Sequence, residues 1–354
     1  MHAPRGRRRG MFVISDKVWG QRLTAYRTTS NARGFVELSI TVVPYILLYG
    51  AMWWSLSVGY WLTLLLALPT SAMLVRMFAI QHDCGHGAFL HSRKANDWLG
   101  RLIGVFTFTP YDDWRREHAL HHAGSGNLDR RGFGDIMTLT VGEYLKLSKP
   151  RKLQYWLYRH PIVLFVIGPT WQFVLRQRWP TGKTKNLMPF FSTHSTNIGI
   201  AVYALLLIWL MGWQAFLLVQ IPVIVIAATV GVWLFYVQHQ FDGTHWEKDD
   251  DWQREHAALH GSSFYDLPQP LMWLTGNIGI HHVHHISSQI PFHVLPKVMK
   301  DYPELKDVGR LTLWESIKCV PLTLWDEERK ILVSFRQRRR FAAAAAAATT
   351  AAAA

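Results

Sequence analysis

The chain has 354 residues, of which 49% are hydrophobic, and 17 are tryptophan; its formal net charge is +14 and its mean hydropathy is +0.04. That is too apolar for an ordinary soluble domain, and the apolarity is concentrated rather than spread. Two cysteines, Cys84 and Cys319, exclude a disulfide framework and suit a reducing compartment.

In chain order, the N-terminal Arg5-Gly-Arg-Arg-Arg9 lacks the long apolar core of a signal peptide and is expected to be a solvated basic segment, residues 1–34. Two apolar stretches follow, Phe35–Ile80 and Asn197–Phe241. Each would run about 65 Å as one helix against a hydrocarbon core of about 30 Å, so each is expected to cross twice. The turns are expected at Ser55-Leu-Ser-Val-Gly59 and Met211-Gly-Trp213, with spans near 35–56, 58–80, 197–217 and 219–241. Pro44, Pro69 and Pro222 fall inside them, as membrane helices tolerate. Neither turn carries Lys or Arg, and Arg76 is the sole basic residue in either stretch. The positive-inside rule then puts the N-terminus, the 81–196 and 242–300 segments and the C-terminal 301–341 segment in the cytoplasm. Trp53, Trp54, Tyr60, Trp61, Trp209 and Trp213 flank the turns as an aromatic belt at the far interface. Topology and anionic lipid account for the positive charge without nucleic acid.

Between the hairpins, Trp98–Pro110 and Leu153–Trp179 are too short or too basic to cross and are expected to lie in the interface plane, with Leu267–Ile280 resting on the stem. The fold class expected is all-α: an integral membrane four-helix stem capped by cytoplasmic helices. Ala342 onward is low-complexity and carries no assigned role.

Histidines fall into three boxes: His82-Asp-Cys-Gly-His86, His118-Ala-Leu-His121-His122 and His281-His-Val-His284-His285. Random placement of 18 histidines in 354 positions predicts far fewer than one His-x-x-His-His, and two are present. Residues at i, i+3 and i+4 share one helix face, so each box aims its imidazoles in one direction. His282 lies off that face and Cys84 points elsewhere. Eight converging imidazoles exceed the needs of one ion and suit two metals; the ligand type leaves Fe, Cu, Ni and Zn open. His239, ending the last span at the depth of His82, is a ninth candidate, whereas His245 and His256 stand in a charged loop. Asp83, Asp113, Glu117, Asp129 and Asp135 are candidates to accept the free N–H of a ligating ring. A haem pocket needs one axial histidine per side rather than triplets, and a transporter would place ionisable ligands within the spans. A dinuclear redox metal site at the membrane face explains the pattern best.

With these boxes and two hairpins in this order, residues 35–300 resemble the membrane-bound fatty acid desaturases. "HDCGH" is the first-box form of plant and cyanobacterial Δ12 (ω-6) acyl-lipid desaturases, and "HHAGSGNLDRRGFGD" and "TGNIGIHHVHHISSQIPFHVL" resemble bacterial ω-6 desaturases. The resemblance implies a diiron site ligated by His82, His86, His118, His121, His122, His239, His281, His284 and His285, with O2 as co-substrate and an acyl lipid as substrate. Phe235 departs from the family's acyl-CoA branch, which has an asparagine there supporting a bound water. The His-Pro-Gly-Gly signature of cytochrome b5 is absent, so the implied electron donor is a separate protein, ferredoxin before cytochrome b5. A lipid, sterol or carotenoid hydroxylase or ketolase on the same scaffold is the alternative, and a haem-binding membrane subunit the distant one.

Overall fold

The computed structural model describes residues 16–132, 134–180 and 187–341; the basic Arg5–Arg9 run and the alanine-rich end lie outside them. Among the described residues, four long helices are apolar enough to cross a membrane: α1 (Asn31–Ser55), α2 (Tyr60–His86), α5 (Met188–Met211) and α6 (Trp213–His239). Between α2 and α5 stand α3 (Arg93–Phe106) and α4 (Tyr111–Gly124); after α6 come the short α7 (Gln269–Leu274) and α8 (His281–Ile286). The stem is two hairpins, as the hydropathy requires.

The hairpin turns fall at Leu56–Gly59 and at Gly212, where φ is +82° and a side chain would strain the backbone. The break at Gly212 moves the fourth helix six residues earlier than the expected 219. The third helix begins at Met188 rather than 197, because polar Ser192 finds a partner in the cap and Thr193 bonds back to its own helix. Ser192 Oγ accepts the Asp112 amide at 3.1 Å, and Thr193 Oγ1 donates to Pro189 O at 2.9 Å. Ser30 caps α1 by accepting the Arg33 amide at 3.3 Å.

Burial assigns the roles of the stem helices. The most apolar window of α2 is 61% buried and that of α5 only 6%, so α2 is the spine, packed on α1, α3 and α6, and α5 faces outward. Leu47, Leu65, Leu205 and Trp209 are more than half exposed, an apolar outer surface that lipid would cover. Trp54, Trp61 and Trp213 stand exposed around the turns, as an interfacial belt would.

The cap is helical with two small sheets that the periodicity did not forecast. Leu139–Thr140 pairs with Leu324–Asp326, which pairs with Ile331–Val333; Phe264–Asp266 pairs with Arg310–Thr312. These strands of two or three residues fasten the C-terminal segment onto the cap. Residues 163–178 form a segment with two π-turns that exposes Ile167, Trp171 and Leu175.

Candidate metal centre

Each histidine box reaches the same place from a different element. α2 continues past the apolar region, so His82 and His86 project from its last turn. It stops at Gly87, whose φ of +70° closes the helix while its amide donates to Cys84 O at 3.0 Å. Asp83, between the two histidines, accepts the Phe292 amide at 2.7 Å and so pins the chain that follows the third box. α4 presents His118, His121 and His122; its acidic first turn is held by Arg101, which grips Asp112 at 2.8 and 3.2 Å. α8 presents His281, His284 and His285. Gly279 ahead of it lets Tyr265 N–H donate to Gly279 O at 2.7 Å; a Cβ there would stand 2.4 Å from Tyr265 O. His239 ends α6.

The nine imidazoles divide into two groups. His82, His86, His118, His122 and His284 form one, and His121, His239, His281 and His285 the other, with the candidate ligand atoms in each within 4.8 Å of one another. In the first group His118 Nε2 lies 2.9 Å from His82 Nε2, 3.1 Å from His86 Nε2 and 3.1 Å from His122 Nε2; His284 Nε2 is 3.2 Å from His122 Nε2. In the second, His239 Nε2 lies 3.1 Å from His121 Nε2 and 3.0 Å from His281 Nε2, and His285 Nε2 is 3.0 Å from His281 Nε2. The groups abut: the His122 and His285 rings stack at 4.2 Å.

This donor set fits metal ions. A neutral imidazole carries one N–H, so several Nε2 atoms aimed at one point cannot satisfy one another by hydrogen bonds alone. Nitrogens about 2.1 Å from a shared ion stand about 3.0–3.4 Å apart, the spacing seen here. Two of the opposite ring edges in the second group are held as well: Asp135 Oδ1 is 2.5 Å from His121 Nδ1 and Gly261 O is 3.3 Å from His239 Nδ1. Trp114 stacks on His118 at 4.8 Å, a contact no spacing rule indicated.

Burial pushes His118, His122, His281, His284 and His285 well below the ordinary histidine value of 6.5, and neighbouring imidazoles push the same way. The neutral ring is the form that binds metal. With these values depressed in the folded state, their contribution is present above about pH 6.5 and is lost as pH falls, since the unfolded chain then takes up protons that the native rings refuse. Thermal scans of metal-stripped protein from about pH 8 to pH 5 should show a steep fall in the midpoint below 6.5. A flat profile would contradict the buried, neutral cluster.

The remaining candidates separate by position. His282 points away, its Nε2 3.0 Å from Leu305 O. His245 and His256 face each other at 4.5 Å, outside both groups. Of the carboxylates, Asp135 meets a ring directly; Asp83 Oδ1 is 3.6 Å from His82 Nδ1. Glu117 lines the cavity beside His118, Asp113 lies 3.4 Å from Arg116, and Asp129 accepts the Asp249 amide at 3.0 Å. Phe235 sits against the second group, 5.1 Å from the His121 ring and 5.3 Å from that of His239.

From His82, His118 and His281 a cavity of about 620 Å³ descends between α2 and α6, walled by Leu74, Phe78, Ile224 and Phe235. Leu74 is eight residues before His82, so the cavity runs about 12 Å along α2. It is mostly apolar and headed by the imidazoles.

Residues 55–315 match the family model described as fatty acid desaturase. The chain belongs to the fatty acid desaturase family. It is 42% identical over 316 residues to the "Fatty acid desaturase" of Bacillus subtilis, spanning 89% of this chain and 90% of that one. Two cyanobacterial desaturases are more distant. The "sn-1 oleoyl-lipid 12-desaturase" of Anabaena variabilis is 25% identical over 270 residues, 71% of each chain. The "sn-1 acyl-lipid omega-3 desaturase (ferredoxin)" of Synechocystis sp. is 28% identical over 236 residues, 62% of this chain and 61% of that one. This desaturase is thus a membrane oxidoreductase whose substrate is a lipid, with histidine groups suited to metal.

Proposed function

We propose that this desaturase introduces a cis double bond, at Δ12 (ω-6), into a monounsaturated acyl chain carried by a membrane lipid. The carrying observation is the pair of all-imidazole groups, side by side, at the head of an apolar cavity that follows the membrane helices. The reaction consumes O2, two electrons and two protons; two C–H bonds on adjacent methylenes break, and one alkene and two waters form.

His82, His86, His118, His122 and His284 hold one iron ion and His121, His239, His281 and His285 the other. When bound, the iron pair supplies the O2-dependent oxidising power that removal of hydrogen from an unactivated methylene demands. The protein positions and protects. Asp135 keeps the proton on His121 Nδ1 and so keeps Nε2 free as a donor to metal, as Gly261 O does for His239. Trp114 fixes the His118 ring, and Phe235 presents hydrocarbon where a polar side chain would bring water. The cavity walls hold one C–C pair against the imidazoles, so the bend and depth of the chain choose the carbons. The electrons come from a separate ferredoxin, a reading supported by the donor printed in the name of the Synechocystis relative. The charge asymmetry of the loops supports termini and cap in the cytoplasm.

Expression in a host lacking polyunsaturated lipids should yield a new methylene-interrupted diene, read by mass spectrometry of derivatised acyl chains. Metal analysis should find two irons per chain and optical spectra no haem band. A hydroxylated product with no diene would overturn the desaturase reading.

A further inference from the structure

The wall of the cavity is mostly apolar, and away from the histidines Gln172, Arg176 and Gln177 line it together. They sit where the 163–178 segment changes winding, from the π-turn Trp171–Leu175 to a 3-10 turn at Arg176–Arg178. The Arg176 amide closes the π-turn on Trp171 O and Gln172 O, so the chain tightens where these side chains reach the cavity. Such distortions recur at functional sites.

The cation of this patch has a backbone carbonyl as its protein partner rather than a carboxylate. Arg176 donates to Trp179 O at 3.3 Å, and no carboxylate among the described residues pairs with it. Neighbouring Arg178 differs: it binds Phe108 O and reaches Asn197 Oδ1 at 2.8 Å, while Asn197 Nδ2 donates to Arg178 O at 2.8 Å. Arg178 is the anchor that fixes the height of the patch on α5. Beyond Asn197, Ile198–Met211 carries no charge, so the anchor stands where the apolar part of α5 begins. Trp171 and Trp179, 57% and 62% exposed, bracket it as tryptophans do at the headgroup level. A guanidinium with no carboxylate partner among the described residues, beside a mostly apolar cavity and between exposed tryptophans, is placed where a lipid phosphate would meet it.

We infer that Arg176, with Gln172 and Gln177, forms the head-group end of the channel and binds the phosphate of a phospholipid whose acyl chain occupies the cavity. The assignment rests on the acyl-lipid reading above and names its carrier. The guanidinium and amide N–H groups donate to phosphate oxygens, and bidentate charge-assisted bonds of this kind are among the stronger polar contacts.

The test reads binding rather than turnover. Full-length protein in neutral detergent is incubated with dioleoyl phosphatidylglycerol and with a galactolipid bearing the same chains, and retained lipid is counted by native mass spectrometry. Wild type should prefer the phospholipid by about tenfold, Arg176→Glu should bring the ratio to about one, and Arg176→Lys should fall between. Elution volume and metal content report folding, and Arg176→Lys supplies a second variant should the glutamate protein misfold. Equal retention of the two lipids by wild type, or a ratio untouched in Arg176→Glu, overturns the inference. Displacement of the phospholipid by equimolar oleoyl-CoA in wild type but not in Arg176→Glu overturns it too, in favour of a thioester carrier. A protein that selects phospholipid through Arg176 yet makes no diene leaves this binding site standing and sinks the desaturation reading instead.

Discussion

A His121→Ala protein is expected to insert with its stem intact and to form no double bond. His121 is one of four imidazoles in its group, 3.1 Å from His239 at Nε2, with its far edge on Asp135. Loss of an outer partner such as Asp135 typically weakens metal binding 10- to 100-fold, so loss of the ligand itself should exceed about 100-fold and empty that position. Metal content should fall from two irons per chain to about one, because the other five histidines are untouched. The matched control is His282→Ala. His282 is equally buried and lies beside His281, but its Nε2 meets Leu305 O rather than the cluster. That substitution should lower stability while leaving two irons bound. Equal metal loss in both variants, or diene formation by His121→Ala, would contradict the ligand division.

What the sequence made legible follows from how each feature is encoded. The hairpins are written in local hydropathy, and the boxes in spacings that helix geometry alone turns into shared faces. His239 was reachable because distance along a helix measures depth. The split of the nine rings into five and four was not legible. His118 and His121 share a helix yet serve different groups, which depends on how α4 meets α2, α6 and α8. The carboxylates show the same limit: Asp129 and Asp135 are six residues apart in one loop, and only the fold turns Asp135 toward His121 and Asp129 toward Asp249. The start of α5 was hidden because Ser192, Thr193 and Thr196 read as polar, whereas their burial against the cap makes them helix-compatible. The winding change at Arg176 leaves no mark in periodicity.

Arg76 carries the second large effect. It is the lone basic residue of the two apolar stretches and, like Glu37, only 1% exposed. Its Nη2 lies 2.5 Å from Glu37 Oε2, its Nε donates to Thr41 Oγ1 at 3.2 Å, and its Nη1 binds the Trp273 carbonyl; the guanidinium also covers the Trp273 ring at 4.0 Å. One side chain thereby joins α1, α2 and α7, and α7 leads through Thr275 and Ile278, both on the cavity wall, into His281. Arg76→Met leaves Glu37 buried with Arg33 as its remaining cation, and breaking a buried pair from one side typically destabilises by about 3–5 kcal/mol. Thermal unfolding in detergent should show that loss, and iron content should drop as the third box loosens. Adding Glu37→Gln removes the stranded charge, so the double variant should recover part of the stability that Arg76→Met alone loses. If the second substitution lowers the midpoint further, Arg76 acts through its packing on Trp273 rather than through its charge.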